Sequence, residues 1–580
     1  MAALSRGLSM ARTLSTSTAP RKYVVVGAVA GGASCAARLR RLDEKASIVV
    51  FEKGPDPSFA NCGMPYYLGG EIKDRNALAV QTPASLLARL NLDVRVRTEA
   101  TSIDTAKKIV KARDLRSGEE YTESYDELLI SPGAKPFVPP IPGINRPGNL
   151  SLRNLEDMDR IKQWIEDRQC KTAVVAGGGF IGIEMAEQLR HIGMDVTLVE
   201  AMPQLMAPFD PEMASMLQAE LERHGVKVEV GAPIKGFEAP AAGGPGSDVV
   251  LDENRRLTAD VVILGLGVRP DTELAKAAGL ALNARGGIIV DERMRTSAPH
   301  VYAAGDAVEV KNPIVGGEWM VALAGPANRQ GRTAADNMAG HSEHTFDGTW
   351  GSSAVRVFDL TAAGTGLNER LLDSAGVKFH AVHLHPNQHA GYYPGAQVLS
   401  LKILFGAEGK RKGKLLGAQA VGKDGADKAI DALAVALQAG MTVDDLADLE
   451  LCYAPPVGSA KSPINYAGMI AQDMLEGLVE TVQWHEFHDL ASDPANLIVD
   501  VRTAAEVLNT GPLHPSAVNL PLDDLRARMG ELPQDKTLIT YCLAGQRGYY
   551  AARILAENGF AVKNLDGAYR TLRESPIRRD

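Results

Sequence analysis

The sequence is poor in cysteine, in long apolar runs and in excess positive charge. Its 580 residues include 5 Cys. That is too few for a disulfide framework, and their spacing fits no metal site, so we expect reduced thiols and no bound metal. No stretch reaches the roughly 18 uncharged apolar residues that cross a bilayer, which argues against a membrane as partner. The 62 Lys and Arg against 71 Asp and Glu give a formal charge of -9 without a long basic run. This balance argues against nucleic acid as a partner.

The remaining composition is that of a large folded protein. At about 150 residues per domain, the length predicts three or four domains. With 45% hydrophobic and 23% charged residues, the chain can form large cores and is not disordered by composition. Its 57 Gly and 32 Pro are dispersed, which excludes collagen-like and low-complexity proteins.

The start of the chain lacks acidic residues, since no Asp or Glu occurs within residues 1–42. Basic residues lie there among Ser, Thr, Ala and Leu: Arg6, Arg12, Arg21 and Lys22. A positively charged segment without a long apolar centre is typical of a mitochondrial presequence. We therefore predict a presequence over residues 1–22 and a location in the mitochondrial matrix. A leader-like extension on a cytoplasmic protein is the alternative.

A strand, a small-residue turn and a helix open the folded part. The predicted strand over residues 23–27 runs into the loop 27–32, and after the helix a second strand over 47–51 ends at Glu52. Small residues let the backbone approach a pyrophosphate at a helix N-terminus, and an acid at this distance accepts hydrogen bonds from a ribose. The unit predicts a dinucleotide site, although Val29 stands where the generic pattern has its middle glycine. Its candidate residues are Gly27, Val29, Ala30, Gly31, Gly32, Glu52 and Lys53.

A second unit of the same kind follows. A strand over residues 171–176 leads into residues 177–182, which fit the full Gly-x-Gly-x-x-Gly pattern, and a later strand over 195–199 ends at Glu200. Two such units predict two dinucleotides, one bound permanently and one exchanged. The Glu200 carboxylate favours an unphosphorylated ribose, so we expect NADH, with NADPH as the alternative. The candidate residues are Gly177, Gly179, Ile181, Gly182 and Glu200.

Two further segments support a flavin. Residues 125–135 are extended and end in a turn, and residues 301–307 form a predicted strand that ends in a Gly-Asp pair. Their candidate cofactor residues are Ser131, Gly133, Gly305 and Asp306. With the two glycine loops in this order, residues 23–470 resemble the FAD-dependent pyridine nucleotide-disulfide oxidoreductases. The resemblance implies that the Gly-Asp pair contacts FAD.

The resemblance also implies the fold class and the domain organisation. We expect an α/β protein with two Rossmann-like dinucleotide-binding domains and an α+β dimerisation domain that forms a homodimer. The FAD-binding domain would comprise two segments, residues 23–150 and 271–340. The NAD(P)H-binding domain would span residues 151–270, and the dimerisation domain residues 341–470.

The candidate redox residue is Cys62. No other cysteine lies between Cys35 and Cys170. A single thiol cannot close an internal disulfide, so its oxidised form must be a mixed disulfide, a persulfide or a sulfenic acid. Pro65 indicates a helix that begins near Cys62, and a helix N-terminus would lower the pKa of the thiol.

The Ser-Phe-x-x-Cys motif at residues 58–62 is similar to the single-cysteine branch of the family: coenzyme A disulfide reductases, NADH oxidases and NADH peroxidases. The arginine-containing opening at residues 27–41 resembles the coenzyme A disulfide reductases, as do residues 389–395 and 451–456. Basic side chains in this opening are suited to bind the phosphates of coenzyme A. The substrate candidates are Arg38, Arg40, Arg41, Ser58 and Asn61.

The same resemblance implies tyrosines that reach into the partner subunit's site, where a phenol protonates a leaving thiolate. The candidates are Tyr392, Tyr393 and Tyr453. The choice between Tyr392 and Tyr393 stays open at this point.

The C-terminal part, residues 480–580, begins a new α/β pattern. A predicted strand over residues 536–541 leads directly into Cys542, a short loop ending at Arg547, and a helix over 548–558. Backbone N–H groups and a helix N-terminus favour an anionic sulfur there, and the arginine completes the anion-binding loop. The segment resembles a single rhodanese domain that carries sulfur on this cysteine.

Other positions of this segment match or depart from the rhodanese pattern. Asp500, Arg502 and residues 566–569 match it, whereas residues 511–515 depart from the usual Gly-His-Ile-x-Gly turn. The three remaining cysteines are predicted to be buried packing residues: Cys35, Cys170 and Cys452.

The whole chain resembles a fusion of a coenzyme A disulfide reductase with a rhodanese. This predicts an FAD-dependent, NAD(P)H-driven reductase of coenzyme A disulfide, coenzyme A persulfide or polysulfide, in which Cys62 forms the sulfur adduct and Cys542 carries sulfane sulfur. Two alternatives stay open. One is an NADH oxidase or peroxidase that cycles Cys62 through sulfenic acid. The other is a sulfurtransferase or redox sensor whose reductase half serves as a scaffold.

Overall fold

The structure is a computed structural model that describes residues 20–241, 243–341 and 344–578. Most of the predicted presequence, residues 1–19, lies outside the described residues. Lys22, which the prediction assigned to the presequence, is the first residue of a strand, and the Arg21 guanidinium donates to the carbonyl of Met338. Within the described ranges, no helix combines the length and the apolarity that a bilayer span requires.

The first nucleotide-binding domain is built on the β-branched run that precedes Gly27. This run forms the central strand because its valines are buried on both faces, as in parallel sheets that helices cover. The elements of this part are β1 (Lys22–Val26), α1 (Ala30–Leu42), β2 (Ser47–Glu52), α2 (Met64–Leu68), α3 (Pro83–Leu90), β3 (Asp93–Val96), β4 (Thr98–Asp104), β5 (Ile109–Asp114), β6 (Glu120–Ser124), β7 (Glu127–Ile130) and β8 (Ala134–Pro136).

The second nucleotide-binding domain repeats the strand–loop–helix arrangement. Its elements are β9 (Asn149–Leu150), α4 (Leu155–Arg168), β10 (Thr172–Ala176), α5 (Phe180–His191), β11 (Asp195–Val199), α6 (Pro211–Arg223), β12 (Lys227–Glu229), β13 (Gly236–Glu238), β14 (Ser247–Val250), β15 (Arg256–Ala259), β16 (Val261–Leu264) and β17 (Val268–Pro270). The chain then returns to the first domain through α7 (Glu273–Ala277), β18 (Val301–Ala303), β19 (Val310–Lys311), β20 (Glu318–Trp319) and α8 (Ala324–Met338).

The central sheets of these two domains are parallel and have the orders β18–β7–β1–β2–β3 and β12–β11–β10–β16–β9. Ligands of such sheets bind beyond the carboxyl ends of the strands. The two glycine loops follow β1 and β10, so each lies at that edge of its own sheet. β9 pairs with β16, so Asn149 and Leu150 belong to the second sheet and not to the first domain, where the predicted boundary had placed them.

An antiparallel domain follows, with the sheet order β21–β22–β25–β24–β23. Its elements are β21 (Ser353–Val357), β22 (Leu360–Gly366), α9 (Glu369–Ser374), β23 (Phe379–Leu384), β24 (Leu399–Gly406), β25 (Leu415–Gly422), α10 (Ala426–Ala439), α11 (Val443–Asp448) and α12 (Pro463–Leu475). The apolar faces of α10, α11 and α12 cover one side of this sheet and form a common core with it.

The C-terminal domain has a parallel sheet of order β26–β30–β29–β27–β28. Its elements are β26 (Thr481–Val482), α13 (Phe487–Ser492), β27 (Asn496–Asp500), α14 (Ala504–Thr510), β28 (Val518–Asn519), α15 (Leu522–Arg528), β29 (Thr537–Tyr541), α16 (Gln546–Glu557), β30 (Val562–Leu565) and α17 (Ala568–Glu574). It has a core of its own, and only residues 476–480 separate its first strand from α12.

Candidate active site

The first glycine loop leaves no room for side chains where the backbone turns. A Cβ on Gly27, whose φ is +93°, would lie 2.1 Å from the carbonyl oxygen of Ser131, and a Cβ on Gly32 would lie 1.8 Å from the carbonyl oxygen of Gly27. Glu52 is held at this loop, because its carboxylate accepts the N–H of Ala28 at 2.9 Å and the N–H of Gly54 at 2.8 Å. Burial raises the pKa of Glu52.

Ser131 and Gly305 lie on the other side of this loop. A Cβ on Gly31 would lie 2.6 Å from Ser131 Oγ and 3.5 Å from the nitrogen of Gly305. The next residue, Asp306, has a pKa raised by burial, and its carboxylate has no hydrogen-bond donor among the residues that the structure describes. A tight cradle of small residues and an acceptor without a donor fit a dinucleotide with hydroxyl groups, as FAD is.

The second glycine loop has the same geometry. A Cβ on Gly177, with φ +108°, would lie 2.2 Å from the carbonyl oxygen of Gly265, whereas the space around Gly179 is open. The Glu200 carboxylate accepts the N–H of Gly178 at 2.7 Å and the N–H of Met202 at 2.8 Å. An acid held beside an open loop at a helix N-terminus fits the ribose and pyrophosphate of an adenine dinucleotide.

The remaining predicted cofactor residues lie around these loops. Val29 precedes α1, which begins at Ala30, while Gly133 turns with a φ of +72° and Ile181 lies in the first turn of α5, next to Gly182. Lys53 pairs instead with Glu99 at 2.6 Å on the surface, so its ammonium is engaged away from the loop acid.

The predicted arginine cluster separates into three different environments. Arg38 pairs with Asp336 at 2.7 Å. Arg40 is buried, and its guanidinium donates to four backbone carbonyls, among them that of Leu90 at 2.9 Å. The proposed phosphate-binding role of Arg40 is therefore wrong, because its donors are already used inside the domain. Arg41 is the exposed member of the cluster.

Cys62 lies in a short 3₁₀ turn, Asn61–Gly63, that precedes α2, and it is exposed. The pKa of its thiol is raised, first by loss of hydration around the sulfur and then by the carboxylates of Glu184 and Asp306. The predicted lowering by a helix N-terminus is wrong for the chain alone, because α2 has 5 residues and the nearest charges are negative. The two acids also indicate that Cys62 lies near both cofactor loops, because Asp306 follows Gly305 beside the first loop and Glu184 lies on the helix after the second loop.

Two motif residues that precede the thiol are partly fixed by contacts with the backbone. Ser58 adopts a φ of +51°, and its N–H donates to the carbonyl of Ala28 at 2.7 Å, which ties the motif to the first glycine loop. Asn61 is exposed, and its amide donates to the carbonyl of Arg153 at 3.4 Å.

Glu184 is a site residue that sequence reasoning missed. Its pKa is raised to about 7: burial is the largest cause and Glu187 adds to it, while a hydrogen bond from Tyr66 and the charge of Arg356 oppose the rise. The phenol of Tyr66 donates to Glu184 at 3.4 Å. In the sequence, Glu184 is an acid two residues after the last glycine of the second loop, which is an ordinary position on a helix surface. Its proximity to Cys62 results from the packing of α2 against α5, which the sequence does not show.

The structure distinguishes the other cysteines. Cys35 and Cys170 are buried, as predicted, and burial raises the pKa of both thiols. Cys452 is exposed, so the prediction that it is buried is wrong. It lies in the irregular stretch between α11 and α12, beside the exposed Tyr453.

Two of the predicted tyrosines meet at the surface. The phenol oxygens of Tyr392 and Tyr453 are 3.0 Å apart, although the residues are 61 positions apart in the chain. Their exposed fractions are 77% and 48%. Tyr393 is 41% exposed and packs its ring edge-on against His389. The antiparallel domain thus brings the two segments together in one exposed cluster, and a role for it in a partner subunit stays a prediction.

The second thiol lies in a loop that is built around it. Cys542 is buried at the carboxyl end of β29, and the N–H of Gly545 donates to its sulfur at 3.2 Å. Helix α16 begins directly afterwards, so its N-terminus also faces the loop. Glu506, and after it Cys542, raise the pKa of Arg547, whose guanidinium forms two hydrogen bonds with Glu506 at 2.8 and 2.6 Å. Sequence reasoning missed Glu506, whose only local signature is its position in the capping box of α14.

The residues that matched the rhodanese pattern support this loop. Arg502 and Asp500 form a buried ion pair at 2.6 Å, and the Tyr541 hydroxyl donates to Asp500 at 2.7 Å. The N–H of Tyr569 donates to the carbonyl of Cys542 at 3.0 Å. The loop therefore rests on a buried ion pair on one side and on the segment after β30 on the other.

Comparison with known proteins agrees with this geometry. Residues 21–331 match the family model of the pyridine nucleotide-disulphide oxidoreductases. The chain belongs to this family. Residues 352–462 match the dimerisation domain of the pyridine nucleotide-disulphide oxidoreductases, and residues 483–574 match the rhodanese-like domain. The predicted fold class and the fusion of an oxidoreductase with a rhodanese domain are confirmed.

Similar proteins cover either the oxidoreductase part or the whole chain. A coenzyme A disulfide reductase of Staphylococcus epidermidis is 34% identical over 453 residues, which are 78% of this chain and 100% of that protein. An NADH oxidase of Methanocaldococcus jannaschii is 34% identical and covers 79% of this chain and 99% of its own.

Two solved structures extend over the rhodanese domain as well. Reduced CoADR-RHD of Bacillus anthracis is 46% identical with a TM-score of 0.92, covering 96% of this chain and 98% of its own. An NAD-dependent persulfide reductase of A. fulgidus is 35% identical with a TM-score of 0.88, covering 95% and 99%. Together with the two glycine loops, family membership confirms FAD and NAD(H) as the cofactors.

Proposed function

We propose that this oxidoreductase uses NADH to reduce coenzyme A disulfide, coenzyme A persulfide or polysulfide at Cys62, while its rhodanese domain carries sulfane sulfur on Cys542. One observation carries the proposal. The charges of Glu184, on the helix that follows the second glycine loop, and of Asp306, beside the first cofactor cradle, act on an exposed single thiol, and a second thiol occupies an anion-binding loop in the same chain. The relatives named coenzyme A disulfide reductase and persulfide reductase support reduction of these two kinds of substrate.

The two loops assign the cofactors to residues of this chain. FAD would be held by the loop that begins at Gly27, by Glu52 and by the pair Gly305 and Asp306, and NADH by the loop that ends beside Glu200. When bound, FAD takes a hydride equivalent from NADH and supplies an electron pair to a sulfur–sulfur bond.

The chemistry of this chain begins at the Cys62 sulfur. Its thiolate attacks one sulfur of the substrate, a new sulfur–sulfur bond forms, and the substrate bond breaks to release a thiolate or hydrosulfide. Two electrons, which NADH supplies, then cleave the mixed disulfide or persulfide on Cys62 and restore its thiolate. For coenzyme A persulfide, the sum is NADH and one proton consumed, with coenzyme A thiol, hydrogen sulfide and NAD⁺ formed.

Glu184 can hold the proton that this cycle consumes. Its pKa of about 7 means that it is protonated in part at neutral pH, and its carboxylate lies close enough to raise the pKa of Cys62. A carboxylic acid with such a pKa donates a proton efficiently near neutral pH. We assign it the role of proton donor to the released thiolate.

Cys542 accepts sulfane sulfur as a persulfide. The Gly545 N–H and the N-terminus of α16 stabilise negative charge on either the thiolate or the terminal sulfur of a persulfide. Arg547 is held in place by Glu506 and adds the positive charge that an anionic sulfur donor requires.

We also propose a homodimer and a mitochondrial location. The match to a dimerisation domain and the exposed cluster of Tyr392 and Tyr453 support a site shared between subunits. The acid-free residues 1–42 support import. Sedimentation of the purified protein and localisation of fluorescent fusions with and without residues 1–19 test the two statements separately.

A stopped-flow titration with NADH tests the main proposal. We expect flavin reduction by NADH, followed by reoxidation with coenzyme A disulfide, coenzyme A persulfide or polysulfide. The NADH oxidase of Methanocaldococcus jannaschii makes oxygen reduction the second candidate. Rapid turnover with oxygen or peroxide alone, unaffected by these sulfur compounds, would replace our proposal with that one.

A further inference from the structure

A buried histidine joins three domains of the chain. His383 lies on β23 of the antiparallel domain, and its side chain is 2% exposed. Its Nδ1 is 2.7 Å from Asp566 of the rhodanese domain, and its Nε2 is 2.9 Å from Glu212 on α6 of the second nucleotide-binding domain. A carboxylate only accepts hydrogen bonds, so both ring nitrogens carry hydrogen and the side chain is an imidazolium.

Charged groups around His383 come from α6, from β24 and from the segment after β30. Lys402 on β24 lies 2.5 Å from Glu212 and contacts two more carboxylates. Among the residues that the structure describes, the ionisable members of this network are Asp210, Glu212, Glu369, His385, Lys402 and Asp566, and Arg570 acts on it through His385. Burial and Lys402 lower the pKa of His383, but Asp566 and Glu212 raise it more, to about 9.

Asp566 connects this histidine to the sulfur-carrying loop. Its carboxylate also accepts the backbone N–H of His383 at 2.9 Å. The next residue, Gly567, is so close that an added Cβ would lie 2.7 Å from the Cβ of His383. Two positions further, the N–H of Tyr569 donates to the carbonyl of Cys542. One short segment therefore touches the reductase half at its start and the Cys542 loop at its end.

We propose that His383 is a positioning residue for sulfur transfer: clamped between Glu212 and Asp566, it holds the Cys542 loop at a fixed place on the reductase half. This inference rests on the proposed function, because it requires that sulfur pass between the two thiol modules. His383 touches neither thiol and acts through Asp566.

The sulfur transfer that this positioning would serve can be written as a balanced reaction sequence with thiosulfate as the sulfur donor. The Cys542 thiolate attacks the outer sulfur of thiosulfate, which forms the persulfide and releases sulfite. Coenzyme A thiolate then takes the terminal sulfur and restores Cys542. Reduction of the coenzyme A persulfide at Cys62 gives hydrosulfide and coenzyme A. The sum is thiosulfate and NADH converted to sulfite, hydrosulfide and NAD⁺.

The experiment compares the coupled reaction with each partial reaction in the full-length enzyme. The coupled reaction is NADH oxidation with thiosulfate and catalytic coenzyme A. The partial reactions are NADH oxidation with coenzyme A disulfide and sulfur transfer from thiosulfate to cyanide. In His383→Gln the charge is lost and both N–H donors lie on one nitrogen, so the side chain cannot bridge Asp566 and Glu212 as the two ring nitrogens do. We therefore expect the coupled rate to fall about tenfold as the effective concentration of the docked loop falls. Both partial rates should stay within about twofold.

Two further variants make the result decisive. Asp566→Asn keeps an oxygen acceptor and removes the charge, so we expect a smaller loss of coupled rate, about threefold. Lys563→Gln, the matched control, removes an exposed ion pair with Glu480 on the linker and should leave the ratio unchanged. Other contacts, such as Tyr549 to Asp473 at 2.6 Å, keep the domain attached in each variant. If His383→Gln does not fold, Asp566→Asn decides.

The pH dependence gives a readout that a merely structural role would not move. The folded pKa of His383 is raised, so the clamp is complete below the ordinary histidine range and is lost as the pH rises through about 9. The ratio of coupled to partial rates in the native enzyme should fall across that range, and in His383→Gln it should be flat.

The two possible failures are distinguishable. An unchanged ratio in both variants, with a coupled reaction in the native enzyme, would overturn the positioning role alone. No coupled reaction in the native enzyme, with both partial reactions present, would overturn sulfur transfer between the modules.

Discussion

The two reactive thiols of this chain lie in opposite environments. Cys62 is exposed, and the pKa of its thiol is raised first by loss of hydration around the sulfur and then by the carboxylates of Glu184 and Asp306. Cys542 is buried, accepts the N–H of Gly545 and lies at the start of a helix beside a guanidinium. The same functional group is thus surrounded by negative charge in one domain and by donors in the other.

The difference indicates where each thiol obtains its reactivity. The loop of Cys542 supplies the donors for an anionic sulfur from this chain alone. The surroundings that this chain alone supplies to Cys62 oppose a thiolate, so we expect the cofactor that binds in the adjoining cradle to contribute to its activation. The fusion therefore joins a self-sufficient carrier to a thiol that works only in the holoenzyme.

The most direct way to distinguish the contributions of the two thiols is to remove the thiol of Cys62. In Cys62→Ser we expect NADH-linked reduction of coenzyme A disulfide to fall by at least about a thousandfold, because no sulfur adduct can form. Flavin content and thiosulfate:cyanide sulfur transfer should be retained. Steady-state NADH oxidation and a cyanide assay on the same preparation measure both. Surviving reduction would mean that the reductase half does not use this thiol.

The reciprocal change is Cys542→Ser. Thiosulfate:cyanide transfer should fall by a similar factor, about a thousandfold, since serine forms no persulfide. Reduction of coenzyme A disulfide should remain within about twofold of the native rate. Equal loss of both activities would contradict the picture of two chemically independent sites.

The arginine beside the carrier thiol offers a smaller perturbation. Arg547→Gln removes a charged donor and should reduce sulfur transfer from thiosulfate about tenfold, mainly through KM for this anion. Glu506→Gln, the matched variant, leaves the guanidinium but loosens it, so its effect should be weaker. Transfer kinetics over a range of thiosulfate concentrations distinguish the two, and an unaltered KM in Arg547→Gln would remove the arginine from substrate binding.

Local sequence patterns predicted many of the residues that surround the two thiols and the cofactor loops. The glycine loops, the terminal acids Glu52 and Glu200, and the loop after Cys542 follow from strand, turn and helix signals within about 30 residues. Contacts between distant segments were not predictable in that way. Glu184 approaches Cys62 only because α2 packs on α5, and two of the four carbonyls that bind Arg40 come from the distant end of α3, Leu90 and Asn91.

The charge environment was the least predictable property. A proline three residues after Cys62 predicted a helix N-terminus that favours a thiolate, but the helix is short, and loss of hydration together with the carboxylates of Glu184 and Asp306 raises the pKa of the thiol instead. In the same way, the exposure of Cys452 depends on a loop path that its neighbours in sequence do not determine. Electrostatics at a site is set by tertiary proximity, which one-dimensional spacing does not contain.

The smallest expected effect concerns the acid that faces Cys62. Glu184 has a raised pKa of about 7, so it carries its proton below that pH and loses both the proton and the donor role as the pH rises through it. In Glu184→Gln we expect the rate of coenzyme A disulfide reduction to fall about threefold at pH 6 and to lose its decline through pH 7.

The same substitution should act on the thiol in the opposite sense. Removing the carboxylate removes one cause of the raised pKa of Cys62, so alkylation of the NADH-reduced enzyme by iodoacetamide should become faster at a given pH. Glu187→Gln is the comparison variant, because this acid lies one turn along α5 and acts on the pKa of Glu184 but not directly on that of Cys62, so its effect on alkylation should be smaller. A pH profile of alkylation that is identical in all three proteins would show that the negative surroundings do not govern this thiol, and the contrast with Cys542 would then rest on burial alone.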